Sequence, residues 1–269
     1  MLGDSSEAIS NIERKRILEL LSKGKRLDGR GVKDYREIRV ERGVVEKAAG
    51  SALVSIGGTK VIVGVKVEVG EPYPDRPESG ALTVNAELTP LASPSFEPGP
   101  PDEYSVELAR VVDRGLRESK AIDLEKLCLI PGKKVLVVFV DIYVLDQCGN
   151  LFDASLLASV SALMSSRVAE YVVGKGGEVK AKSKYVPLPV RSYPVSVTMA
   201  RIDGDFVVDP SLDEEMVADA RITVTTDKDG NVCALQKGGV GVFSVDDVLE
   251  AIDVAIEKSE ELRRDFLGV

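Results

Sequence analysis

The chain has 269 residues, of which 44% are hydrophobic, and a formal net charge of −9. This apolar content is sufficient for a buried core and does not indicate disorder. The sequence contains no histidine, which excludes catalytic triads built on histidine and metal sites built on imidazole. The acidic balance argues against a protein that coats nucleic acid through a generally basic surface, although a local basic groove remains compatible with it.

The chain lacks the sequence features of secreted and membrane proteins. Residues 1–10 include Asp4 and Glu7 and do not form a basic start followed by an apolar run. No apolar stretch reaches membrane-spanning length. We therefore expect a soluble, cytoplasmic protein with no membrane partner. The three cysteines, Cys128, Cys148 and Cys233, are widely spaced, so we expect buried free thiols, with neither a disulfide framework nor a metal, and no cofactor.

The first part of the chain predicts a helix followed by strands. Residues 7–23 have helical apolar periodicity, and Gly24 is a plausible terminator. The predicted apolar side of this helix consists of Ile9, Ile12, Ile17, Leu18, Leu20 and Leu21. Runs rich in valine and isoleucine then predict strands at 37–47, 52–56, 61–69 and 82–88. Gly57-Gly58 predicts a hairpin turn between two of them.

A proline-rich loop at 97–102 precedes a predicted helix over 103–120. Arg110, Arg114 and Arg117 are spaced at i, i+4 and i+7, so they share one side of that helix. One interpretation is a stripe that binds phosphates. The alternative is an ordinary solvated face, with Glu107 and Asp113 as ion-pair partners. Spacing alone favours the second interpretation.

The rest of the chain repeats the order of strands, hairpin and helix. We predict a buried strand at 135–145, a long helix at 152–173 and a polar connection at 174–184. Strands at 192–201, 205–208, 221–226 and 232–236 follow, with an Asp229-Gly230 hairpin and a final helix at 244–267. The expected organisation is an N-terminal helical arm (1–24), a first half with the connecting strand and helix (25–190) and a second half (191–269), packed as one unit.

Several motifs carry a family resemblance. They are Arg26 with Asp28-Gly29-Arg30, then Gly50-Ser51-Ala52, then the segment 97–121 and finally Val208-Asp209-Pro210 before an acidic run. From about residue 12 to its end, the sequence resembles the RNase PH superfamily, and in particular the non-catalytic RNase PH-like subunit of the archaeal exosome.

The resemblance implies an α/β (α+β) fold, namely the RNase PH fold, with two similar βαβα halves of the ribosomal protein S5 domain 2-like type. It implies a ring of three heterodimers, in which this subunit alternates with a catalytic RNase PH-like subunit. Such a ring degrades single-stranded RNA from its 3′ end by phosphorolysis and releases nucleoside diphosphates. Cap subunits of S1 or KH type are expected over the ring entrance.

Two departures from the catalytic members argue against an active site in this chain. Catalytic members bind the attacking phosphate with a glycine-rich turn and an arginine, whose position corresponds to Leu151 here. Their pair of aspartates corresponds to Glu215 and Arg221, and a guanidinium cannot ligate a metal. We therefore expect no catalytic residue and no metal. The acidic run of Asp209, Asp213, Glu214, Glu215 and Asp219 is interpreted as a solvated helix start.

The resemblance also implies that Arg110 and Arg114 line the RNA path, whereas the role of Arg117 stays open. Guanidinium groups on a rigid helix bind phosphodiesters without reading bases. Three alternatives remain: a self-sufficient phosphorolytic 3′-5′ exoribonuclease, a structural ring member without RNA contact, and a small-molecule kinase. The kinase alternative lacks a phosphate-binding glycine motif.

Overall fold

Two β-sheets enclose a central helix in the computed structural model, which describes residues 11–174 and 176–269. Residues 11–146 contain two helices and six strands: α1 (Asn11–Leu21), β1 (Ile38–Arg42), β2 (Gly50–Ile56), β3 (Thr59–Gly70), β4 (Ala81–Leu88), α2 (Glu103–Glu118), β5 (Cys128–Ile130) and β6 (Lys134–Asp146). The remainder contains three helices and six strands: α3 (Leu151–Ser165), β7 (Arg167–Val173), β8 (Val179–Pro187), β9 (Val195–Ile202), β10 (Asp205–Val208), α4 (Leu212–Val217), β11 (Ala220–Thr226), β12 (Val232–Gly238) and α5 (Val245–Leu262).

Each half of the chain forms its own sheet. The first sheet has the order β1-β2-β3-β6-β4, with β5 added to β6. Its pairs are antiparallel except for β4 with β6, which is parallel because α2 and the following turn form the crossover between them. The second sheet has the order β10-β9-β11-β12 and is antiparallel throughout. This architecture agrees with the predicted α/β fold in two halves.

The core is centred on α3, which packs against β2 and β3 of the first sheet and β9 of the second. Its residues are apolar or small all round, and nearly all are buried, as expected for a helix with protein on every side. Phe152 and Leu156 are among its buried large side chains. The start of α3 is therefore fixed between the two sheets, where the loop before it meets the loop after β10.

Most of the predicted elements are present, but the helix predicted at 152–173 is wrong in its second half. The α3 helix ends at Ser165, and residues 167–173 form strand β7. The stretch predicted as a polar connection, 174–184, contains the first six residues of β8, which pairs with β7 as a two-stranded ribbon. Val168, Val172 and Val173 are β-branched and favour a strand, which the apolar continuation of α3 obscured.

Smaller differences concern the terminal helices and the thiols. Ile12 on α1 is exposed, contrary to the predicted apolar side of that helix, and Val245 and Leu249 on α5 are also exposed. Residues 7–10, including Ile9, lie outside the described residues. The hairpins at Gly57-Gly58 and Asp229-Gly230 are confirmed. All three cysteines are free, as predicted, but they are only partly buried. Within the described ranges, no helix combines the length and the apolar character that crossing a bilayer requires.

Candidate functional site

The α2 helix displays a row of arginines on a firmly anchored support. The Asp102 side chain caps its N-terminus by accepting a hydrogen bond of 2.7 Å from the Ser105 backbone N–H. Leu108, Val112 and Leu116 are buried against the core, on the side of the helix away from the arginines. The opposite side of the helix is therefore fixed toward the surface.

The three arginines on that surface have different partners. Arg110 is exposed and has no hydrogen-bond or ion-pair partner within residues 11–174 and 176–269. Arg114 is also exposed, and its Nη1 donates 3.2 Å to the neutral amide oxygen of Gln236. Arg117 pairs with Asp113, one turn before it. In the described part of the chain, carboxylates thus neutralise Arg117 but neither Arg110 nor Arg114.

A groove of about 450 Å³ runs beside Arg110 and brings in residues that sequence reasoning missed. Tyr73 and Arg76, from the loop between β3 and β4, line it together with Arg110 and Arg117. Among the described residues, the Arg76 guanidinium makes only a loose ion pair, 3.9 Å from Asp75. Because no helical or strand spacing relates residue 76 to residue 110, the sequence carried no signal for this juxtaposition.

The loop before α3 corresponds in the family resemblance to the phosphate-binding turn, and its polar groups are already occupied. Gly149 has φ +90°, and a Cβ there would lie 2.5 Å from the Pro210 carbonyl oxygen, so the loop requires glycine. Arg36 Nη1 and Nη2 donate to the carbonyl oxygens of Cys148 and Gly149 at 2.6 and 3.1 Å. The Asn150 backbone N–H donates 2.8 Å to Glu215 Oε1.

Leu151, which the family resemblance aligns with the phosphate-binding arginine of catalytic members, is fully buried as the first residue of α3. Its side chain belongs to the main core and does not face an anion site. The Asn150 backbone N–H in the same loop is bonded to a carboxylate. The loop therefore offers an incoming phosphate neither the arginine nor that backbone donor.

Asp209 lies at the centre of a buried charge network behind this loop. It is fully buried and accepts hydrogen bonds from Arg30 Nη1 (2.9 Å), Arg36 Nε and Nη2 (2.8 and 2.7 Å), the Arg36 backbone N–H (2.9 Å) and Asn150 Nδ2 (2.8 Å). Burial alone would raise the pKa of Asp209, but the hydrogen bonds and charge of Arg36 and the hydrogen bond of Asn150 hold that pKa below its ordinary value.

Two further buried acids complete the network. Glu214 accepts from Arg26 Nε at 2.8 Å, and both side chains are almost fully enclosed. Asp153 accepts from the Tyr35 hydroxyl at 2.8 Å and from the Thr198 hydroxyl at 2.8 Å. Burial raises the pKa of Asp153, although its hydrogen bonds act in the opposite direction. The interpretation of the acidic run as a solvated helix start is thus wrong for Asp209 and Glu214, which are buried. Glu215 is half-buried, whereas Asp213 and Asp219 are exposed.

Glu215 and Arg221, which the family resemblance aligns with the paired aspartates of catalytic members, both have partners. Arg221 Nη2 donates 2.7 Å to Glu107, and its guanidinium lies 4.0 Å from the Phe152 ring centroid. Glu215 is half-buried at the edge of a cavity, and desolvation raises its pKa to about 7 despite the Asn150 hydrogen bond. In the described part of the chain, no group of three or more acidic or cysteine side chains is arranged to hold a metal ion.

Replacing Glu215 with glutamine should change how stability depends on pH. Burial raises the pKa of Glu215 from 4.5 to about 7, so the folded state binds the proton more tightly than the unfolded state. The carboxylate therefore destabilises the wild type increasingly as the pH rises from 4.5 through 7. Glutamine keeps an acceptor for Asn150 without ionising, so the variant should gain about 2 kcal/mol over the wild type between about pH 5 and about pH 8.

Urea unfolding of both proteins across this pH range measures the effect. Glu250→Gln makes the same substitution at an exposed position of α5 and should show no such gain. If the free energies of unfolding of the Glu215 variant and the wild type differed by the same amount at every pH, the raised pKa of Glu215 would be contradicted.

Comparisons with known proteins identify relatives along nearly the whole chain. Residues 34–169 match the model of the 3′ exoribonuclease family, domain 1, and residues 192–258 match domain 2 of the same family. The exosome complex component Rrp42 of Thermococcus gammatolerans is 53% identical over 262 residues, which cover 97% of this chain and 96% of that protein. Its counterpart in Methanothermobacter thermautotrophicus is 49% identical and covers 95% of this chain and 94% of its own length.

Solved structures give the same result. A chain of the Archaeoglobus fulgidus exosome with RNA bound to the active site is 50% identical, with a TM-score of 0.88 and coverage of 95% of this chain and 98% of that chain. A chain of an archaeal exosome core is 45% identical, with a TM-score of 0.83 and coverage of 95% and 96%. Rice Rrp46, at 19% identity and a TM-score of 0.66 over 89% of this chain and 99% of that chain, shares the fold.

Proposed function

We propose a function for this chain on the basis of its family: the chain belongs to the 3′ exoribonuclease (RNase PH) family. It acts as a non-catalytic subunit of an exosome ring of the archaeal type. Three copies alternate with three copies of a catalytic RNase PH-like subunit, and the ring degrades single-stranded RNA from its 3′ end with inorganic phosphate. Relatives named as exosome components support this, at about half of all residues identical over nearly the full length.

The observation that carries the non-catalytic assignment is the occupied loop before α3. The Asn150 N–H is bonded to Glu215, Leu151 is in the core and Arg221 is tied to Glu107. A phosphorolytic site needs a cation and free donors around the attacking phosphate, because these groups position it and stabilise its charge. This subunit therefore leaves the chemistry to its neighbour and helps to shape the site between them.

The contribution to RNA binding comes from Arg110 and Arg114. Both guanidinium groups are exposed and free of carboxylate partners among the described residues, and α2 fixes their spacing. Paired hydrogen bonds to phosphodiesters follow from guanidinium chemistry and carry no base preference. The same proposal includes cap subunits of S1 or KH type and a cytoplasmic location, where the RNA substrates of such a complex are found.

A reconstitution experiment tests this function. Labelled single-stranded RNA is incubated with phosphate and with this chain alone, the catalytic subunit alone, or their mixture, and nucleoside diphosphates are measured. We expect no decay with this chain alone and phosphate-dependent decay with the mixture. Light scattering should give a mass of six chains for the mixture.

Two results would contradict the proposal in different ways. Phosphate-dependent decay by this chain alone would establish the alternative, a self-sufficient phosphorolytic exoribonuclease. A chain that stays separate from the catalytic subunit in light scattering would remove the ring. An inactive point variant of the catalytic subunit serves as the control, since its mixture should assemble but not degrade RNA.

A further inference from the structure

Helix α5 lies on the surface of the second half and carries most of the acidic excess of the chain. It packs on β9 and β11 and buries one side, which includes Val254 and Leu262. Residues 245–262 have seven carboxylate side chains and one lysine, a net charge of −6, compared with −9 for the whole chain. Neither the proposed RNA contact at Arg110 and Arg114 nor the buried charge network uses this helix.

An apolar stripe on α5 extends beyond the side of the helix that the sheet covers. Val245, Leu249 and Ile256 are spaced at i, i+4 and i+11, and the partly buried Ile252 lies between them at i+7. The three exposed fractions are 76%, 55% and 37%. From Val245 to Ile256 the stripe is about 16 Å long, or about three turns of helix. Single exposed apolar residues are ordinary, whereas a contiguous row beside polar residues marks an interaction surface.

Carboxylates without ion-pair partners lie along one flank of this stripe. Asp246, Glu250, Asp253 and Glu257 are exposed and form no ion pair within residues 11–174 and 176–269. The single lysine of the helix is already paired with Glu261, at 2.9 Å. The surface of α5 therefore presents an apolar row beside a row of uncompensated negative charge.

A cleft of about 650 Å³ lies at the C-terminal end of the stripe, between α5 and the Asp229-Gly230 hairpin. Ile256 and Glu260 of the helix line it together with Tyr193. The cations that line it already have partners in the chain: Lys228 with Asp229 (2.7 Å), Arg264 with Asp265 (2.9 Å) and Arg263 with the Thr226 and Ser259 hydroxyls (2.9 and 3.1 Å). The cleft thus offers an apolar anchor point at the end of the row without a free positive charge.

The charge of this surface restricts its partner. RNA and anionic lipid carry the same sign of charge as α5, so both would be repelled. A second copy of the chain would bring its own acidic helix, because a two-fold interface places the same patch on both sides. A helix with apolar side chains in one row and lysine or arginine beside them matches both rows of α5.

We propose that the exposed side of α5 is a docking surface for a basic amphipathic helix of another protein. The apolar row of that helix packs along Val245, Leu249 and Ile256, and its basic side chains pair with Glu250 and Asp253. The inference goes beyond the proposed function, since it involves neither the RNA-binding arginines nor the occupied loop before α3. It requires that this surface stays open when the ring assembles.

Fluorescence anisotropy with labelled synthetic peptides and the full chain tests the inference. The probe is a peptide of about four helical turns, with leucine at i, i+4, i+7 and i+11 and lysine at most other positions. A second peptide has the same residues in an order without helical period, and a third has glutamate in place of lysine. We expect the first peptide to bind, the second to bind about 10-fold more weakly and the third not to bind.

Leu249→Ser tests the apolar row. It removes a side chain that the peptide should bury, so binding of the basic peptide should weaken by about 10-fold. Leu91→Ser is the matched control, because Leu91 is 81% exposed in the loop after β4, away from α5. It should bind the peptide as the wild type does, and thermal unfolding checks that both variants are folded.

Glu250→Lys with Asp253→Lys tests the acidic row. The basic peptide would then meet two positive charges, so its binding should weaken by more than about 10-fold. Glu41→Lys with Glu46→Lys makes the same change of net charge at exposed positions of the first half and should have a much smaller effect. Equal effects of the two pairs would overturn the inference, because they would reflect total charge and not a docking surface.

The complex with the catalytic subunit shows whether the surface is open. The peptide should bind the complex as it binds the chain alone, and loss of binding there would overturn the inference, since the ring would then cover α5. The inference also fails if the periodic and reordered peptides bind equally, if Leu249→Ser has no effect, or if light scattering shows a dimer of this chain that Leu249→Ser dissociates. Failure of the ring to assemble counts against the proposed function alone, because the peptide measurements with the chain by itself still decide the inference.

Discussion

Asp209→Asn is expected to lower the free energy of unfolding by about 3 kcal/mol at neutral pH. Asp209 is fully buried and balances the charges of Arg30 and Arg36, which are themselves largely enclosed. Asparagine keeps the shape of the side chain, but it carries no charge. Its amide N–H₂ group would also face the N–H donors of the surrounding arginines. Removing one partner of a buried ion pair leaves the other charge uncompensated, which is the costly case.

The backbone at this position makes asparagine the informative substitution. Asp209 has φ +49°, in the left-handed region, which asparagine tolerates about as well as aspartate does. Alanine would add backbone strain to the loss of charge. Asp203→Asn is a matched control, because Asp203 has φ +50° and an exposed side chain. It should change stability by less than about 0.5 kcal/mol.

Urea unfolding measures the difference and also its dependence on pH. The pKa of Asp209 is lowered in the folded state, so its stabilisation is present above its ordinary value of 3.8 and is lost as the pH falls through the folded pKa. The gap between wild type and Asp209→Asn should therefore shrink in strong acid. Equal effects of Asp203→Asn and Asp209→Asn at neutral pH would contradict the role of Asp209 as the centre of the network.

The fold was predictable where local pattern and tertiary burial agree. Helix α2 has apolar residues at helical spacing, a proline-rich entry and an aspartate at its N-cap, so its limits were predicted closely. Strand β8 carries Lys180, Lys182 and Lys184 on an exposed ribbon and has no apolar face. Its lysines alternate with Val179, Ala181 and Tyr185, which is the two-residue period of a strand, but the prediction of a connection followed the high polarity of the stretch. The strand is held by backbone pairing with β7 and not by burial of an apolar face.

The candidate site was predictable only in part, because some of its contacts join residues that are far apart in the sequence. The arginine row is local to one helix, so spacing identified it. The network joins Arg26, Arg30 and Arg36 to acids about 170–190 residues later in the chain, as their hydrogen bonds indicate. An acidic run after a strand usually lies in solvent, and only the tertiary fold reveals that Asp209 and Glu214 are enclosed by these arginines.

Reversing the charge of both Arg110 and Arg114 to glutamate, in the complex with the catalytic subunit, should weaken RNA binding by about 100-fold. Each guanidinium supplies charge-assisted hydrogen bonds to a phosphodiester, and glutamate adds repulsion. Phosphate-dependent decay at limiting RNA should fall in parallel. Both side chains are exposed, so the fold and the mass of the complex should be unchanged. The measurements are fluorescence anisotropy with labelled RNA, decay assays and light scattering.

Two controls separate phosphate contact from total charge. Lys180→Glu with Lys182→Glu makes the same change of net charge on the exposed ribbon, away from α2, and should affect binding far less. Arg117→Ala should also have a smaller effect than Arg110→Ala, because Asp113 already neutralises Arg117. If Arg110 and Arg114 each contact one phosphate, replacing both with alanine removes two phosphate contacts. The slope of the logarithm of the binding constant against the logarithm of the salt concentration should then become less steep by about 1.4.

The salt slope also decides between the proposal and a purely structural ring member. A structural subunit would show unchanged affinity, turnover and salt slope in all α2 variants, with the ring intact. A long-range effect of charge would appear equally in the ribbon control, since its net charge changes by the same amount. Only direct contact predicts loss in the α2 variants together with a reduced slope, because counterion release counts the phosphates that are actually bound. The free guanidinium of Arg110, which has no carboxylate partner among the described residues, makes direct contact the expected result.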